Sequence, residues 1–91
     1  MGMNIKKTNK YFRTADLPLA SFLFARGIQL TNIDKITNQK RAYFVFVDSS
    51  LCEELVYEFS FAREDDEMVA IDARKLIHAI KALKEKLYQD N

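Results

Sequence analysis

The chain of 91 residues contains one histidine, one cysteine, one proline, two glycines and no tryptophan. Each shortage removes a class of chemistry. A single thiol, Cys52, excludes an intrachain disulfide and a cysteine-based zinc cage. With only Gly2 and Gly27, no glycine-rich phosphate loop can form. His78 has no second histidine to share a metal, and the acidic run Arg63–Glu67 lacks the glycine and ligand spacing of a calcium loop. Ser49 and Ser50 sit in no nucleophile elbow and read as helix caps. The longest uncharged stretch, Leu17 to Ala25, is far too short for a bilayer. No apolar run follows the basic start around Lys6 and Lys7, and Lys6 stands where a myristoylation signal needs Ser or Thr. The sequence therefore predicts a non-enzymatic cytoplasmic chain with no cofactor, no metal and no membrane partner.

What remains is the material of one packed domain. Hydrophobic residues make up 48% and charged residues 30%, enough apolar surface to offset ordering entropy. A single domain over 11–88 is expected, with short tails at 1–10 and 89–91. Charge is unevenly spread along it. Residues 1–47 carry eight basic side chains against Asp16 and Asp34, a net +6; residues 48–72 total −8, and residues 73–91 total +3. Segments of opposite sign either compensate one another in the fold or present a basic and an acidic face to different partners.

Pattern and punctuation predict an α+β domain with a small antiparallel sheet of three to four strands, ordered β-α-β-β-α-(β)-α. Tyr11-Phe12-Arg13 reads as a first strand. Thr14 or Asp16 caps a helix with Pro18 in its first turn and Gly27 as its stop. Apolar side chains surround that helix, so it is buried on most sides or partly covered by a partner. A strand over Ile28–Asp34 and a loop through Asn38 precede Arg41–Val47, the strongest strand signal. Its two apolar faces mark a central strand, or one face is a binding surface. Ser50 with Glu53 forms a capping box for the second helix. Leu51, Cys52, Leu55, Val56, Phe59 and Ala62 form its core stripe, leaving Tyr57 and Phe61 outside. Met68–Ile71 reads as a short edge strand. Asp72 then caps a last helix with Ala73, Leu76, Ile80, Leu83 and Leu87 inward, Ile77 alongside and His78 on the polar side.

Two surfaces carry binding chemistry. In the hairpin, Lys35, Lys40 and Arg41 adjoin Tyr43, Phe44 and Phe46, a mixture suited to single-stranded nucleic acid, whose bases stack on rings while phosphates meet cations. Lys35, Lys40, Arg41 and Tyr43 are the candidate contacts. The element order resembles that of RNA-recognition domains, but Ala42 replaces the glycine of their motif and the aromatics are out of step by one. The alternative is a protein-interaction or self-associating domain, with Phe22 and Leu23 on the first helix and Tyr57 and Phe61 on the second as candidate contacts.

The run Phe12-x-Thr14-x-Asp16-Leu17-x-Leu19-Ala20-x-Phe22-Leu23, with Gly27 closing the helix, resembles the opening of a family of short bacterial proteins of unknown function. Phe44-Val45-Phe46 followed by Asp48, and the helix closing through Ala79 to Tyr88, are similar to its second half. The resemblance spans residues 11–88 and implies no activity, so it transfers no functional residue. Family members often carry a Tyr-Tyr-Asn-Gly-like stretch after the second helix, where this chain has Tyr57–Glu67 and an acidic loop.

Overall fold

Asp16, not Thr14, starts the first helix. Its Oδ1 accepts the Leu19 N–H at 3.2 Å, while Thr14 Oγ1 accepts the N–H of Asp16. The computed structural model describes residues 10–37 and 40–89. The expected tails, apart from Lys10 and Gln89, and Asn38 of the hairpin loop lie outside the described residues. The elements are β1 (Tyr11–Thr14), α1 (Leu17–Ala25), β2 (Leu30–Asp34), β3 (Tyr43–Val47), α2 (Ser50–Phe61), a 3₁₀ turn (Glu67–Val69) and α3 (Ala73–Tyr88). This is the expected α+β class with a three-stranded antiparallel sheet.

Gly27 ends α1 at φ 92°, a backbone region that residues with a Cβ rarely enter. The Ile28 N–H then closes back on the Leu23 carbonyl at 3.0 Å, so Ile28 belongs to the helix stop and the strand begins later, at Leu30. In the sheet β3 is central, with β1 and β2 antiparallel on either side. Phe46 lies opposite Phe12 and Leu30, and Phe44 opposite Thr14 and Ile33. Because side chains alternate across a strand, this set shares one face. It carries the core with α1, α2 and α3. Tyr11, Arg13, Tyr43, Val45, Val47 and Asp34 point the other way.

Three helices cover the inner face. Phe12 of β1 and Val56 of α2 line one groove, which places α2 on the β1 side of the sheet. Lys35, just after β2, donates from Nζ to the carbonyls of Leu87 (2.9 Å) and Gln89 (3.0 Å), holding the end of α3 over β2. A cation there also complements the negative end of the helix dipole. Between them lies α1, packed against both. That position explains its unusual composition: only Pro18 of this central helix is exposed, and Leu19 through Leu23 are all buried. The Phe22 and Phe59 rings sit 5.0 Å apart across the α1–α2 contact.

Several expectations need correction. The hydroxyl capping α2 is Ser49, which accepts the Cys52 N–H at 3.1 Å, so the helix is one residue out of register with a Ser50–Glu53 box. Leu51 in the first turn of α2 is exposed, as are Ala73 and Ile77 on α3, whereas Ala79 joins the buried set. No strand forms over Met68–Ile71. Asp66 caps a 3₁₀ turn by accepting the Met68 N–H, and Arg26 Nη2 donates to the carbonyls of Met68 (2.6 Å) and Ala70 (3.4 Å). Those carbonyls are the acceptors an edge strand would have offered to a neighbour. Asp72 does cap α3, through the N–H groups of Arg74 and Lys75.

Candidate functional site

Among the described residues, no helix covers the outer face of the sheet. Its centre is Val45, which is buried yet stands apart from the helical core cluster. Val45 is flanked by Arg13 on β1 and Asn32 on β2. Arg13 reaches across this strip. Its guanidinium carbon is 4.9 Å from the Tyr43 ring centroid, and Nη2 is 3.0 Å from Asp34 Oδ2 on the far strand. An ion pair this exposed contributes little Coulomb energy. Its effect is orientation: a planar cation held over an aromatic ring.

Asp34 is held in turn by the turn that follows β2. The N–H groups of Thr37 and Ile36 each donate to Oδ1 at 3.0 Å. With the Thr37 backbone first, then its side chain, the Ile36 amide and Arg13, these donors place the Asp34 carboxyl well below the usual carboxylate range. A depressed folded-state value means that the stabilisation is complete above the unfolded value, about pH 4, and is lost as pH falls below it. Urea midpoints measured down to about pH 2 should therefore fall in the wild type more steeply than in Asp34→Asn, which has no proton to take up. Equal acid slopes for the two proteins would contradict the network.

Beside this platform, an open concavity of about 630 Å³ is lined by Arg13, Thr14, Asp16, Arg41, Ala42 and Tyr43, among others. It brings Arg41 and Tyr43, two of the hairpin candidates, together with Arg13 of β1, which is not among those candidates. Only the pairing register could have exposed Arg13: it becomes part of the site because β1 lies beside β3 in reverse, placing it over Val45. Lys40 is exposed and adjoins Arg41 in sequence. Lys35 is not part of the site, since its ammonium is committed to the end of α3.

The other candidate pairs separate sharply. Phe22 and Leu23 are 1% and 0% exposed and present nothing to a partner. Tyr57 and Phe61 are 62% and 72% exposed, with ring centroids 5.0 Å apart. Burial, followed by the charges of Asp48 and Glu53, pushes the Cys52 thiol up to about 11, which keeps it protonated and a poor nucleophile. Among the described residues, no three His, Cys, Asp or Glu side chains are grouped to hold a metal ion, and no helix is long and apolar enough to cross a membrane.

A family model described as a domain of unknown function, DUF5659, matches residues 9–89. The chain belongs to the DUF5659 family. Neither curated proteins nor solved structures provide a match. Within this DUF5659 domain the conformational roles of the opening motif are now visible: Asp16 caps, Gly27 stops, and Leu19, Ala20, Phe22 and Leu23 fill the core.

Proposed function

We propose that this DUF5659 domain is a non-catalytic binding module that receives single-stranded nucleic acid on the outer face of its sheet. One observation carries the reading: the Arg13 guanidinium, tied to Asp34, lies over the Tyr43 ring at the edge of a concavity that also contains Arg41. A base can stack on the outer plane of such a guanidinium, while phosphates meet Arg41 and the basic residues near it. Stacking tolerates any base, so the expected recognition is of single strands rather than of one sequence.

Titration of short oligothymidylate at rising salt tests this. Binding should weaken as salt rises, and Arg41→Ala should make the log–log slope shallower by about 0.7, the contribution of one phosphate contact on a single strand. Arg41 is exposed, so its removal leaves the fold intact. Absence of binding at low salt, or an unchanged slope in the variant, would remove the nucleic-acid reading. A second reading, contact with another protein through α2, is supported by the large exposed surfaces of Tyr57 and Phe61.

A further inference from the structure

The edges of the sheet differ. On β2 two residues, Thr31 and Asn32, occupy the stretch opposite Val45, and this bulge interrupts the regular ladder. On β1 the register is continuous from Tyr11 to Thr14. The Asp48 N–H donates to the Lys10 carbonyl, and hydrogen-bonded pairs alternate along an antiparallel ladder. Phe12 and Thr14 therefore bond inward to β3. Tyr11 and Arg13 turn their N–H and C=O groups outward, where, among the described residues, no strand pairs with them.

Directly beside that edge, β1 and α2 enclose a mostly apolar groove of about 260 Å³. Phe12, Val56, Tyr57 and Phe61 supply its apolar surface, and Asp48 and Glu53 stand in its wall. Among the described residues, Asp48 Oδ1 is buried and has no hydrogen-bond partner. A buried carboxylate oxygen without a donor is costly, and a donor arriving with a ligand would relieve that cost.

We propose that β1 and α2 form a docking groove for an extended peptide of another protein, which adds to the sheet as a fourth strand beside β1. This deepens the protein-contact reading and is independent of nucleic acid. Alternation along the added strand fixes its chemistry. Groove-facing positions take one apolar side chain against Phe12, Tyr57 and Phe61, and, two residues away, a lysine or arginine toward Asp48 and Glu53. The positions between them face Arg13 and are neutral. Charge also distinguishes this occupant from a second copy of the chain. Pairing two β1 edges about a twofold axis would set α2 beside its own copy, bringing Asp48 and Glu53 toward the same acids.

The test uses the full chain and an end-blocked peptide, Thr-Lys-Thr-Leu-Thr-Lys-Thr, whose palindromic order suits either strand direction. Amide exchange by NMR should slow at Tyr11 and Arg13 on adding this peptide, and not on adding its Glu-for-Lys counterpart. Glu53→Lys and Phe61→Ser, both at exposed positions, should each weaken binding about tenfold. Equal binding of the Glu peptide would overturn the proposal. So would protection of Tyr11 and Arg13 without peptide, whether it grows with protein concentration, as for a second copy, or not, as for a segment of the same chain. Perturbation confined to Tyr57 and Phe61, with the β1 amides unchanged, would sink the added strand while leaving the protein-contact reading in place.

Discussion

Replacing Phe46 by alanine is expected to cost about 3–5 kcal/mol of folding free energy, the range for truncating a fully buried phenylalanine. Phe46 has no solvent exposure and sits at the middle of the central strand, with Phe12 and Leu30 across from it on either side. Because all three helices lean on this face, the surroundings cannot collapse into the space without moving a helix. A domain of this size holds about 5–15 kcal/mol in total, so the variant should be marginal at room temperature. Urea unfolding followed by circular dichroism would measure it. A loss below about 1 kcal/mol would mean that the strand's inner face is not the centre of the core.

Leu23→Ala should cost about 2–5 kcal/mol for the same reason, and this result separates two kinds of apolar residue. Leu23 belongs to the helix between α2 and α3 and is wholly enclosed. Its loss should lower the urea midpoint while leaving the sedimentation coefficient of the folded protein unchanged. Phe61→Ser should show the opposite balance, with little loss of stability because the ring lies mostly in solvent. If Leu23→Ala altered association and left stability intact, α1 would have to be an outer helix.

Much of this architecture was legible in the chain because local chemistry and global packing agree at most positions. Pro18 and Gly27 bracket one helix, with Thr14 or Asp16 as its cap, and Asp72 opens another. The two apolar faces of Arg41–Val47 indicated a central strand or a binding surface on one face, and the strand, formed over Tyr43–Val47, is central. For α1 the pattern allowed both enclosure and a partner surface, because a helix wheel shows which sides are apolar and not what covers them. The short strand expected at Met68–Ile71 failed for a similar reason. Its fate depended on Arg26, forty-two residues away from Met68, capturing the carbonyls. The site was half visible. Tyr43 and Arg41 are adjacent to other hairpin cations in sequence, whereas Arg13 becomes relevant through strand pairing and Lys35 is withdrawn by a helix end. Long-range pairing of this kind leaves no periodic mark.

The unequal margins of the sheet set a limit on assembly. One side is blunted by the Thr31–Asn32 bulge and the other is regular, so the strand addition proposed above has a single border to use. Units with valence one can cap something else or pair once, after which nothing is left to extend. On that proposal, ribbon-like growth by adding sheets side by side stops after one contact.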